Sequence, residues 1–292
     1  AMHDALTDLP NRLSLQRKVE SALQSGGVGA LLFLDIQQQG GVLRLTMNRP
    51  ERLNALNPAL ATALRECFQG LYRRNDIRVV ILQGAGASFC AGLDLKEQQP
   101  GKEVGTSDML AVQYSIRDIM LAMRRCPQPI ISIVQGAASG GGFALALASD
   151  IRLATPDARM NASFLRIGLT GCDMGVSYFL PRMVGSSVAA QYLLTGRFMD
   201  AARAHALGLV STVAPLSELQ QEAQALAEDM LRTTPLGLRL TKEALGLSLD
   251  MGSLEAVMAM EDRQQVLCTQ TEDFQEGLQA FLQKRPPHYS GQ

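Results

Sequence analysis

The chain has 292 residues, with 27 Lys and Arg against 28 Asp and Glu and a formal charge of −1. That balance excludes the basic footprint of a nucleic-acid binder or of a protein that clings to an acidic membrane surface, and Arg73-Arg74 and Arg124-Arg125 read as helix-end charges. Five scattered cysteines and three histidines (His3, His205, His288) offer no paired or metal-ligand spacing, and no apolar run spans a bilayer, so the expectation is a cytoplasmic protein without disulfides or zinc.

In chain order, residues 3–36 begin with an amphipathic helix. Asp8 or Thr7 suits its N-cap, Pro10 its first turn, Leu15, Val19 and Leu23 share a stripe, and Gly26-Gly27 ends it. This opening, with LTDLPNR at 6–12, resembles the start of a GGDEF (diguanylate cyclase) domain. The resemblance stops at Asp35-Ile36 and the GGDEF signature is absent, so it implies a re-used fragment rather than cyclase chemistry. Ala30–Ile36 and Val42–Met47 read as a hairpin closed by Pro50. Asn57 then suits the N-cap and Pro58 the first position of a helix to Arg74, with Leu60, Leu64, Phe68 and Leu71 on one face. Val79–Gly84 is an apolar strand of the kind buried on both faces of a parallel sheet.

After it comes SFCAGLDLKE at 88–97, in which Cys90 reads as a small buried residue and Asp94 as structural or ligand-lining. Gln98–Ser107 is a polar loop, Asp108–Arg125 a methionine-rich helix and Ile130–Val134 a strand. Gly140-Gly141-Gly142 then opens a helix of small and apolar residues. Three glycines let the backbone approach something closely, and a helix N-terminus leaves amides facing outward, which suits a developing negative oxygen. Close packing alone explains the glycines equally well. Ile151–Ala154 is the next strand, and the rhythm of strand, turn and helix gives an α/β class. Ser187–Thr195 and Asp200–Leu207 are helical, with His205 a packing or surface residue, and Leu209–Ala214 is extended. Leu216–Thr233, Pro235–Leu249, Ser253–Leu267 and Thr271–Gln283 are helices, and a short tail follows Pro286-Pro287.

Six stretches together carry a resemblance: NRPERLNAL at 48–56, FCAGLDL at 89–95, QGAASGGGFALALASD at 135–150, DIRLATPDARM at 150–160, LTGRFMDAARAHALGLVSTVAP at 194–215 and TPLGLRLTKEAL at 234–245. From about residue 30 to 292 the chain resembles the crotonase (enoyl-CoA hydratase/isomerase) superfamily. The resemblance implies a ββα spiral core over 30–233, a C-terminal helical trimerisation region over 234–292, and an N-terminal extension over 1–29. It implies an acyl-CoA substrate, with coenzyme A as part of that substrate and no other cofactor or metal. The backbone amides of Leu93 and Gly141 would hold the thioester oxygen, with Ala55, Leu56, Ala91, Asp94, Leu95, Lys96 and Gly140 around the substrate and its CoA. A homotrimer or a hexamer of two trimers is implied as well, with Lys284-Arg285 reaching a neighbour's CoA phosphates or simply solvating a helix end.

The pattern breaks where the family's hydratases carry two glutamates. Here those positions are Ala144 and Phe164, and neither moves a proton. Adding water across a conjugated double bond takes a base for the water and an acid for the α-carbon. The dienoyl-CoA isomerase branch carries an aspartate matched here by Asp173, with one extra residue after Gly168. Asp173 is thus the candidate base, or else the cap of a helix over Met174–Met183. Ser177 and Tyr178 are further polar candidates, Tyr178 reading also as a half-packed helix residue, and Cys172 is a weak nucleophile beside an acid. Double-bond isomerisation is therefore expected ahead of hydration, the alternatives being a non-catalytic acyl-CoA sensor or another enolate reaction such as C–C bond formation or thioester hydrolysis.

Overall fold

The computed structural model describes residues 28–31, 33–96 and 105–292. The helix expected after Thr7 lies outside them, as do residues 98–104 of the expected polar loop. Strand β1 (Val28–Leu31) pairs antiparallel with β2 (Leu34–Gln39), and β2 pairs antiparallel with β3 (Val42–Met47) through a tight turn at Gly40-Gly41. The run 30–36, expected as one strand, is therefore divided between two, with Leu31 opposite Leu34. An unbroken apolar run does not encode where the chain reverses; only pairing with β3, which buries Leu34 and Ile36, sets the start of β2.

Helix α1 (Pro58–Leu71) begins as expected: the Asn57 side chain accepts the Leu60 N–H at 2.9 Å and Pro58 occupies the first turn. Its stripe of Leu60, Leu64, Phe68 and Leu71 is fully buried. The chain continues through β4 (Val79–Gly84), α2 (Thr106–Arg125), β5 (Ile130–Val134), β6 (Ala137–Ser139), α3 (Gly141–Ala148), β7 (Ile151–Ala154) and β8 (Arg159–Asn161). Thr106 and Ser107, expected in a loop, form the first turn of α2. Then come α4 (Val176–Val184), α5 (Ser186–Thr195), β9 (Met199–Asp200), α6 (Ala201–Ala206) and β10 (Thr212–Val213). Helices α7 (Leu216–Leu231), α8 (Pro235–Ser248), α9 (Leu254–Thr269) and α10 (Glu272–Gln283) complete it.

The main sheet has the order β1-β2-β3-β4-β5-β7-β10 and is parallel from β3 onward. Val80, Leu82, Ile130 and Val134 face the large core under α1, α2 and α3, whereas Val79, Ile81, Ile131 and Ile133 face α7 on the other side. Burial on both faces is why these strands read as continuous apolar runs. A second, smaller sheet has the order β6-β8-β9. Single parallel bridges, Cys90 to Ala138 and Leu56 to Leu93, carry its pairing on to the stretch after β4. Each turn of the chain thus lays one strand in the large sheet and a short extended piece in the small one, the expected ββα repeat.

Helix α8 is pinned to the end of α2 by Lys242. Its ammonium, 5 % exposed, donates to Met123 O at 3.1 Å and Gln128 O at 2.7 Å and pairs with Asp150 at 3.0 Å. Lys242→Met keeps the apolar stem but strands two buried carbonyls. It is expected to cost about 1–3 kcal/mol, read as a lower urea midpoint at unchanged slope. At the C-terminus the segment after Pro286-Pro287 is not a loose tail. The Asp273 carboxylate, buried at the start of α10, accepts the N–H groups of Ser290 at 2.6 Å and Gly291 at 2.9 Å. Arg285 is engaged twice by Glu276, at 2.6 and 2.7 Å, so its guanidinium serves this chain's own helix end.

Candidate active site

The glycine turn packs against the stretch after β4 with no room between them. A Cβ on Gly142 would fall 2.0 Å from Cys90 O, and one on Gly92 would fall 2.7 Å from Ser139 O. Gly92 also needs its φ of +95°. Gly142→Ala must push α3 away from Cys90–Gly92, and the expected result is a clearly lower melting temperature, an overpacking cost of about 1–3 kcal/mol.

This contact sets the direction of two amides. In the Leu56–Leu93 bridge, Leu56 N–H donates to Gly92 O at 2.7 Å and Asp94 N–H to Leu56 O at 3.0 Å. The Leu93 amide between them therefore points away from Leu56, as the parallel pattern requires. Gly141 is the first residue of α3, so its N–H has no partner within the helix and carries the positive end of the helix dipole. The Gly141 nitrogen lies 3.5 Å from where a Gly92 Cβ would stand, one residue from Leu93. The stretch carrying Leu93 and the first residue of α3, from separate turns of the fold, thus lie side by side.

Ion pairing holds one side of this place rigid. Arg49 and Asp94 pair at 2.9 Å with both side chains 4 % exposed. Burial pushes the Asp94 carboxyl up, but the Arg49 hydrogen bond and charge and the Lys96 N–H outweigh it and hold it below its ordinary value. Asp94 is thus an anchor beside Leu93. Arg49 also donates to Ala55 O, which fixes Ala55 and Leu56, both buried, while Ala91 N–H donates to Leu53 O at 3.0 Å. Leu95 and Lys96 stand exposed at the edge. Burial raises the Cys90 thiol to about 12, as expected of an inert core cysteine.

Two residues that sequence reasoning overlooked touch the glycine turn. Met174 Sδ and Cε lie 3.3 Å from where a Gly141 Cβ would be, and Ser163 Oγ lies 2.9 Å from the same point on Gly140. Neither belongs to a motif; both arrive from the β8–α4 connection, far along the chain. Phe164 lies beside them, its ring 3.3 Å from that Gly140 point, and it and Ala144 are buried. Both of these residues are therefore apolar and buried.

Asp173 precedes Met174 and is half-buried. Its Oδ1 accepts the Met174 N–H at 2.7 Å and the side-chain amide of Gln113, a residue of α2 that no motif flagged. Burial pushes the carboxyl up, and those two hydrogen bonds offset this only in part. The expected alternative, Asp173 as the cap of a helix beginning at Met174, is not what forms. Helix α4 starts at Val176 with Gly175 as N-cap and no side-chain cap, because Met174 at φ +51° and Gly175 at φ +87° turn the chain first. The Tyr178 hydroxyl donates to Asp250 at 2.7 Å, Ser177 and Cys172 are exposed, and His205 is exposed with Nδ1 3.1 Å from Val210 O. Among the described residues no cluster of three or more His, Cys, Asp or Glu could hold a metal ion, and no helix is long and apolar enough to cross a membrane.

Against known proteins, the family described as Enoyl-CoA hydratase/isomerase matches residues 37–292. A Mycobacterium bovis protein named "Probable enoyl-CoA hydratase" is 37 % identical over 256 residues, covering 85 % of this chain and 89 % of its own length. The 1,2-epoxyphenylacetyl-CoA isomerase of Escherichia coli is 34 % identical over 260 residues, covering 89 % and 98 %. The crystal structure of an enoyl-CoA hydratase from Bacillus anthracis superposes with a TM-score of 0.84 at 32 % identity, covering 89 % of this chain and all of the other, 100 %.

Proposed function

Because the chain belongs to the enoyl-CoA hydratase/isomerase family, we propose that it moves a carbon–carbon double bond within an acyl-CoA thioester. The thioester oxygen accepts the amides of Leu93 and Gly141. Asp173 removes a proton from the α-carbon, and the C–H electrons pass into a dienolate whose charge rests on that oxygen. The same carboxyl returns the proton at the γ-carbon, leaving the double bond conjugated with the thioester. Each amide donor is worth ~2.7–4 kcal/mol of barrier.

The observations that carry this reading are the outward amides of Leu93 and Gly141 and a half-buried carboxylate on Asp173, the residue before Met174, whose side chain abuts Gly141, with Ala144 and Phe164 at the positions matched to the hydratase acids. Isomerisation needs one group that takes and returns a proton; hydration needs two. The similarity to an isomerase acting on 1,2-epoxyphenylacetyl-CoA lends further support. The exposed Leu254, Val266, Phe281 and Leu282 of α9 and α10 support assembly into the family's trimer or hexamer.

The test is α-proton exchange. The protein is incubated in D2O with saturated and unsaturated acyl-CoAs, and deuterium uptake is followed by mass spectrometry. Deuterium at the α-carbon and a shifted double bond, without a hydrated product, are expected. Thioester binding without exchange would overturn the catalytic reading in favour of an acyl-CoA-binding protein.

A further inference from the structure

Beside Met174 lies a cavity of about 870 Å³ between α2, the start of α4 and the end of α8. Met120 and Leu121 line it from α2, Phe179 from α4, Leu247 and Leu249 from α8 and its end, and Met174 from the turn before α4. Met174 therefore touches both spaces: its sulfur and methyl abut Gly141, and the same side chain walls the cavity. The left-handed turn at Met174-Gly175 aims it there. Such a turn in a non-glycine residue is costly and persists where the surroundings impose it. Methionine is unbranched and pliable, which suits a partition that yields to a ligand.

The polar groups around the cavity are largely spoken for. Arg124 and Lys242 both pair with Asp150, and Tyr178 donates to Asp250. Two further cations that line it, Arg117 and Arg239, lie over Tyr114 and Tyr72. What the interior offers a ligand is apolar wall, in a volume within the usual range for ligand pockets.

Building on the acyl-CoA reading above, we infer that this cavity receives the distal part of the acyl group and that Met174 is a specificity-determining residue at its entrance. The substrates are thioesters of acyl groups well beyond butanoyl in apolar bulk. A butanoyl group at the Leu93 and Gly141 amides leaves the cavity empty; a decanoyl chain passes Met174 and enters it.

Calorimetric titration of the full chain with butanoyl-CoA and decanoyl-CoA tests this without any chemistry. Each methylene taken from water into apolar surroundings tightens binding about threefold to fourfold, so decanoyl-CoA is expected to bind at least ~100-fold more tightly. Leu247→Trp, at a partly exposed wall position, fills the cavity and is expected to abolish most of that gain while leaving butanoyl-CoA within about twofold. Leu249→Trp serves the same purpose if the first variant fails to fold. Equal affinity for the two thioesters in the wild type, as when a second copy of the chain fills the cavity, overturns the inference alone. So does a tryptophan variant that leaves the length preference intact. Failure of both thioesters to bind overturns the acyl-CoA reading itself.

Discussion

Asp173→Asn is expected to lower α-proton exchange and isomerisation by about 100- to 10,000-fold, the usual contribution of a positioned general base, with the fold intact. The Asn side-chain oxygen still accepts the Met174 N–H and the Gln113 amide, so the turn before α4 keeps its shape. What disappears is the carboxylate's capacity to take a proton. The variant should bind acyl-CoA as the wild type does, which separates a lost base from a lost site. The wild-type pH profile supplies a second check. Burial raises the Asp173 carboxyl above its ordinary value, and the base form is the ionised one. Activity is therefore present above that raised value and falls as pH drops through it, so the acid limb lies above the usual aspartate range. Stability runs the other way. A raised carboxyl makes the folded state less favourable once pH exceeds the unfolded value, and Asp173→Asn is expected to melt at the same temperature or slightly higher near neutrality. An unchanged turnover in the variant, with substrate bound, would remove Asp173 from the mechanism.

Arg49→Ala is expected to destabilise the protein by about 3–5 kcal/mol, the cost of stranding one partner of a buried ion pair. Arg49 pairs with Asp94, donates to Ala55 O and lies over the Phe33 ring at 4.9 Å. Its backbone N–H, which alanine would keep, donates at 2.8 Å to Asn54 Oδ1, and Asn54, fully buried, donates to Ser88 O at 2.7 Å. The Arg49 side chain thus ties the entry to β2 to the loop before α1 and to the stretch carrying Leu93. Losing it leaves the Asp94 carboxylate buried with burial as the dominant influence, which pushes its pKa up. In the wild type Asp94 is held low, so its contribution is present at neutral pH and is lost as pH falls through its folded value. The variant should lose that acid-range slope as well as its midpoint. Chemical denaturation at pH 7 and at a pH below the ordinary aspartate value measures both; a loss below about 1 kcal/mol at pH 7 would mark the pair as no more than a surface bridge.

Much of the architecture was legible from residue patterns. Val79–Gly84, Ile130–Val134 and Ile151–Ala154 form strands with the expected ends, since short, mostly apolar runs with polar, proline or glycine residues at their ends carry their own limits. Asn57, Asp200, Ser253 and Thr271 each accept a backbone N–H at a helix start, a local interaction readable from a few neighbouring residues. The family and the glycine turn were readable too, because their residues are contiguous. The reversal before Leu34 was not, because an unbroken apolar run holds no signal for it. Nor was the start of α4, where Met174 takes a left-handed turn that its side chain does not prefer.

By itself, then, the sequence determined the α/β class, the ββα repeat and the family. Only the tertiary structure decided that Asp94 is an anchor for Arg49, that Gln113 steadies Asp173, and that Met174 stands between Gly141 and an apolar cavity. The reason is separation along the chain. Local spacing reports which residues share a helix face or a turn, whereas a contact between residues some 30 or more positions apart depends on how the sheets stack the turns of the spiral. Gln113 and Asp173, 60 apart, meet only because α2 and the β8–α4 connection are packed together over the same core.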